Sequence, residues 1–98
     1  MTYNIVITRI AENDLMNIKF YISEILKNQH GADKTLRKLL NSIISLSYFP
    51  YKYRIISNNV HIYTIGSYSI YYHIKNNDVI ILRVLGNKQQ FNYYDVFN

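Results

Sequence analysis

The chain contains no cysteine, and that absence excludes a disulfide framework, a thiolate metal site and a cysteine nucleophile. His30, His61 and His73 are its only histidines and would by themselves make a poor zinc site, so neither a metal nor a cofactor is expected. Long apolar runs are also lacking, since none approaches the roughly 20 residues that a membrane-spanning helix needs. The opening Met1-Thr2-Tyr3-Asn4-Ile5 has neither the basic start nor the apolar stretch of a signal peptide. Together these absences point to a soluble cytoplasmic protein that avoids membranes. Proline occurs once and glycine three times, so each marks a boundary. The 98 residues, 49% of them hydrophobic, suffice for one core and are too few for two, so residues 1–98 form a single domain.

Acidic side chains are scarce, six against eleven basic ones, and their placement says more than the net charge of +5. Up to Asp33 the signs nearly balance. From Lys34 to Tyr94, Lys34, Arg37, Lys38, Lys52, Arg54, Lys75, Arg83 and Lys88 face a single acid, Asp78. Such a surface attracts RNA, DNA or an acidic protein, or else does no more than keep a small domain soluble. The eleven tyrosines accompany abundant Ile, Asn and Lys, a mixture that reflects an AT-rich coding sequence. Tyrosine position, rather than tyrosine number, therefore carries information.

Tyr3 to Ile7 is β-branched and roughly alternating, as in a strand, and Thr8 can cap a helix. Ala11, Leu15, Ile18, Ile22 and Ile25 recur at helical spacing and predict a helix over about residues 9–27, with Glu12, Lys19, Ser23 and Lys27 facing water. Asn28 to Gly31 breaks the pattern. A second helix is expected with Asp33 near its start and Leu36, Leu39, Leu40, Ile43 and Leu46 on its buried face, ending by about Ser47 before Phe49-Pro50. A polar loop through Ser57-Asn58-Asn59 follows. The period then becomes that of strands: Val60 to Ile65, Tyr68 to Lys75 and Val79 to Leu85, separated by turns at Gly66-Ser67 and Asn76-Asn77-Asp78. The nearly all-apolar last strand is expected in a central position with both faces at least partly covered. The order β-α-α-β-β-β predicts an α+β domain in which an antiparallel helical hairpin packs on one face of a mainly antiparallel sheet. Ile70, Tyr72 and Ile74 should face the helices and leave Tyr71 and His73 on an uncovered face, with residues 87–98 as a polar tail.

In order and spacing, Ile7-Thr8, Ala11, Asp14-Leu15, Ile18, Tyr21-Ile22, Leu46, Phe49-Pro50, Gly66-Ser67-Tyr68, Ile70, Tyr72 and Ile81-Leu82-Arg83-Val84-Leu85 resemble the RelE/ParE superfamily of toxins from bacterial type II toxin–antitoxin modules. The resemblance implies a growth-arresting toxin of the plasmid-stabilisation type, silenced by an acidic, partly disordered antitoxin. RelE-type members cut mRNA on the ribosome, while ParE-type members poison DNA gyrase, so the shared fold leaves the target open. The cations that RelE-type toxins use would fall at Val60, Ile62 and Ser69, where this chain has none, and Gly86 stands where many relatives carry histidine. One preorganised donor is worth about 3 to 4 kcal/mol of transition-state stabilisation, so the loss disfavours a nuclease. Asn87-Lys88-Gln89-Gln90-Phe91 is similar to the stretch after the last strand of ParE-like members, with glutamines replacing arginine and acid. The resemblance therefore implies a ParE-like gyrase inhibitor. The alternatives are a ribosome-dependent mRNA endoribonuclease, or an inactive member that only binds its antitoxin.

Lys88 and Tyr94 are the candidate catalytic pair of the nuclease reading, with His61 and His73 behind them because histidine titrates near neutrality. Their alternative is a pair of ordinary strand histidines. Arg83, Lys88 and Tyr71 are candidates for contact with a target or a nucleic acid. Arg83 equally suits a structural pair with an acid, and Tyr71 and Tyr72 equally suit ordinary strand positions. Lys52 and Arg54 fit a solvated charged surface.

Overall fold

The computed structural model describes residues 2–97, so Met1 and Asn98 lie outside the described residues. Strand β1 (Asn4–Ile7) passes directly into helix α1 (Arg9–Phe20) at Thr8. The Thr8 hydroxyl accepts the Ala11 N–H at 3.2 Å, closing the first turn, and donates to the Ile81 carbonyl at 2.8 Å. One side chain thus ends the strand, starts the helix and fixes both to the sheet.

The stripe of Ala11, Leu15, Ile18 and Ile22 is buried as its spacing predicts, but Ile25 is 59% exposed. The cause is a π-helical turn over Tyr21–Ile25, in which the Leu26 N–H bonds to the Tyr21 carbonyl five residues back. The wider turn rotates Ile25 off the α-helical face. Lys27 does not continue the helix; at φ 55° it reverses the chain.

Helix α2 (Gln29–Ser45) starts earlier than expected, because Asn28 rather than Asp33 sets its beginning. The Asn28 Oδ1 accepts the Gly31 N–H at 2.9 Å. A β-carbon on Gly31 would lie 2.4 Å from the capping amide, so the glycine belongs to the cap rather than to a loop. Ala32, Leu39, Ile43 and Leu46 are buried, with Leu36 and Leu40 packed beside them.

The polar loop before residue 60 hides a short strand, β2 (Ile55–Ser57), which pairs antiparallel with β3 (Val60–Ile65). Asn58 and Asn59 form the turn, both at positive φ (49° and 63°), the geometry of a two-residue hairpin. Strands β4 (Tyr68–Lys75) and β5 (Asp78–Gly86) complete a sheet of order β1-β5-β4-β3-β2. β1 runs parallel to β5 and every other pairing is antiparallel. β5 is interior, as its composition predicts.

Ile70, Tyr72, Val79, Ile81 and Val84 meet the helices in the main core. The other face is not uncovered. Tyr71, Val60, Leu82 and Leu85 are buried there beneath Phe91, Tyr93 and Val96 from the C-terminal segment, which ends in a short helix, α3 (Tyr94–Phe97). The Tyr71 ring stacks on Phe91 with centroids 4.5 Å apart. The tail aromatics remove apolar sheet surface from water, and this sends a segment of polar composition back onto the sheet. No helix among the described residues is long and apolar enough to cross a membrane.

Candidate functional site

β1 pairs with β5 only as far as Ile7 opposite Ile81, so beyond that point the outer edge of β5 has no neighbouring strand. Asp14 of α1 takes its place. Its Oδ2 accepts the Val84 N–H at 3.0 Å and the Arg83 Nε–H at 2.7 Å, while Oδ1 accepts from Arg83 Nη2 at 3.0 Å. Arg83 reaches this position because Leu82 is an extra residue against β4: Tyr72 pairs with Ile81, and Tyr71 pairs with Arg83. A second carboxylate, Asp95 Oδ2 of α3, lies 3.7 Å from Arg83 Nη1. The hydrogen bond to Asp14 raises the guanidinium above its already high pKa, against the opposing effect of partial burial. Arg83 is therefore a joint between α1, β5 and the tail.

Next to this joint opens a cleft of about 840 Å³. Asp14, Asn17, Ile18 and Tyr21 form one wall, Ser67 and Tyr68 the other, and residues 86–89 form the rim. The rim is tied down on both sides. The Asn87 N–H donates to the Ser67 carbonyl at 2.9 Å, and the Asn87 side chain donates to the Gly66 carbonyl at 3.1 Å. The Gly86 N–H donates to Gln89 Oε1 at 2.8 Å. Tyr21, placed by α1 at the start of the π-helical turn, lines the cleft with a half-exposed ring. Burial, with Tyr21 nearby, pushes the Tyr68 phenol above its ordinary pKa.

Of the residues singled out from sequence, the cleft unites Arg83 and Lys88. Lys88 is exposed on the rim, and Tyr94, 72% exposed on α3, is not among the lining residues. Tyr71 is beneath Phe91. His61 and His73 do not form a pair, because His61 lies opposite Tyr72 in the ladder, and His73, the next residue, points to the other face. His61 is buried, stacks on Tyr72 at 5.0 Å and donates its Nδ1–H to the Tyr53 carbonyl at 2.8 Å. Burial lowers the His73 pKa, and Lys75 adds to the effect. Val60 is fully buried and Ile62 half-buried on the tail side, while the Ser69 hydroxyl lies between Thr64 Oγ1 (3.0 Å) and Asn87 Oδ1 (3.4 Å).

Asp14, Tyr21, Tyr68, Arg83 and Lys88 are the ionisable groups of the cleft. Three donors already occupy the Asp14 oxygens, and burial holds the Tyr68 phenol toward its protonated form. The cleft thus offers an ammonium, amides and aromatic edges, a set suited to gripping a polar surface. Among the described residues no cluster of three or more His, Asp or Glu could hold a metal ion. Asp14 and Tyr21 escape a reading based on charge or periodicity. Each sits beside the apolar stripe of α1, and that position was the available signal.

Residues 5–91 match the family described as ParE toxin of type II toxin–antitoxin system, parDE. The chain belongs to the ParE toxin family. The matched span takes in the whole cleft with Lys88 and stops short of Tyr94. Its fold is similar to that in the chromosomal ParDE toxin–antitoxin system from P. aeruginosa, with a TM-score of 0.78, 19% identity and coverage of 87% of this chain and 96% of that one. The RelBE2 toxin–antitoxin complex from Mycobacterium tuberculosis is also similar, with a TM-score of 0.68, 19% identity and coverage of 91% and 95%. No curated protein matches the chain by sequence. The family places the chain in the RelE/ParE superfamily that its residues resemble.

Proposed function

We infer that this ParE-family toxin acts by binding a protein target, DNA gyrase, and that an acidic antitoxin holds it silent. The observation that carries the reading is the filling of the positions where RNA-cleaving relatives place cations. Val60 is a core residue, Ile62 packs beside it, and Ser69 is buried in a hydrogen-bonded row. The cleft supports the same reading, since Arg83 is committed to Asp14 and the one carboxylate among the described lining residues already accepts three hydrogen bonds. Antitoxin binding is supported by the net charge of +5 and by the toxin–antitoxin assemblies named for both similar structures.

Two assays on purified protein test the target. Gyrase supercoiling of relaxed plasmid should stop or stall with cleaved DNA, and message in cell-free translation should stay intact. New RNA 5′ ends confined to translated message would overturn the reading in favour of a nuclease. For the antitoxin, calorimetry with the protein encoded by the adjacent reading frame should show binding at micromolar concentration, and its absence would remove that partner.

A further inference from the structure

Lys34, Arg37, Lys38, Asn41, Ser42 and Ser45 recur along α2 at the spacing of one helix face, opposite the buried stripe of Leu39 and Ile43. They line a shallow groove of about 420 Å³, closed on its far side by Tyr63. This groove shares no residue with the cleft at β5.

Three properties distinguish it from an ordinary solvated helix face. Among the described residues its cations form no ion pair: both pairs belong to Arg83, and Asp33, the nearest acid along α2, accepts from Gln29 Nε2 at 3.2 Å. Toward the helix C-terminus the lining side chains are short and self-satisfied, because Ser42 and Ser45 turn their hydroxyls back onto α2 carbonyls at 2.9 and 2.6 Å. Its far wall is aromatic. Tyr63 stacks on Tyr53 at 3.8 Å, and Lys52 Nζ sits 5.6 Å from the Tyr53 centroid. No aliphatic residue lines the groove, so it lacks the apolar anchors from which a protein interface draws its affinity.

We propose that the α2 groove binds the phosphodiester backbone of a nucleic acid, with Lys34, Arg37 and Lys38 neutralising successive phosphates beside the tyrosine wall. From Lys34 to Ser45 the ridge runs about 16 Å, several times the roughly 3.4 Å rise per nucleotide of one strand in duplex DNA. Contacts to phosphate position a chain without reading its sequence, so the binding is insensitive to sequence and strongly sensitive to salt.

Fluorescence anisotropy of the full chain with a labelled single strand and a labelled duplex, from low to physiological salt, tests this. Three engaged cations give a slope of log K against log salt of about −2.7 on duplex and about −2.1 on a single strand. The double substitution Lys34→Gln with Arg37→Gln should reduce the duplex slope by about 1.8. Lys75→Gln, at the exposed end of β4, should leave the slope unchanged. All three side chains are exposed, so unchanged circular dichroism is expected throughout. Absence of saturable binding to either oligonucleotide at low salt would overturn the proposal. So would an equal loss of slope in Lys75→Gln, which would mark diffuse charge. Tighter binding of an acidic peptide, lost in the double variant, would assign the groove to a protein segment instead.

Discussion

The two faces of the sheet are closed by different means. Against the helices, aliphatic side chains at regular spacing from α1 and α2 meet Ile70, Tyr72, Val79, Ile81 and Val84 in a continuous core. On the other face the cover is seven residues of irregular chain and one short helix, held by Phe91 on Tyr71 and by Asp95 near Arg83. One face is closed by periodic packing, the other by a few aromatic contacts and a shared charge. The stability of the molecule is therefore concentrated on the helix side, while the tail is the cover with less holding it down.

The largest effect is expected from breaking the helix face. Ile81 is fully buried, and Ile81→Ala should cost about 3 to 4 kcal/mol in urea denaturation, the lost transfer energy plus a cavity. Next comes the joint between the faces. Asp14→Ala leaves Arg83 and the Val84 N–H without their acceptor and should cost about 2 to 3 kcal/mol by the same measurement. Phe91→Ala should cost less, about 1 to 2 kcal/mol, while hydrogen exchange accelerates in residues 87–96 and leaves the helices protected. The smallest effect is that of pH through His73 on the tail side. Its pKa is lowered on folding by burial and then by Lys75, so the folded state binds the proton more weakly than the unfolded chain. Its full contribution to stability is present above the ordinary value of 6.5 and is lost as pH falls from there toward the folded value. Denaturation at pH 7 and pH 5 should show that loss, and His73→Gln should remove it.

What could be read from the sequence follows the same division. The stripe of α1, the buried face of α2 and the alternation in β3 and β4 are periodic, and periodicity survives without knowledge of the partner surface. The exposed position of Ile25 was not legible, because a π-helical turn leaves the local composition unchanged while altering the rotation per residue. β2 was hidden by its brevity, although the Asn58-Asn59 pair between Ile56 and Val60 fits a two-residue hairpin turn. The burial of Tyr71 depends on Phe91, twenty residues away and in a segment without period. For the site, Arg83 and Lys88 were visible as cations, and Arg83 suited a pair with an acid, but nothing in charge or periodicity singled out Asp14 as that acid. Their contact was not visible, since it spans 69 positions and depends on where β1 happens to end.

The joining of β1 to β5 also bears on the order in which the chain assembles. β2 to β5 are linked by three two-residue turns, so each of their pairings closes a short loop. Asn4 and Asp78 are 74 positions apart, and their pairing must close a loop that spans most of the chain. Long loops are the slowest to close, so the hairpins are expected to form first and β1 to dock late. Pulse-labelled hydrogen exchange would then detect protection of β1 after that of β3 and β4. On the ribosome, the strand synthesised first waits for nearly the whole chain before it finds its neighbour.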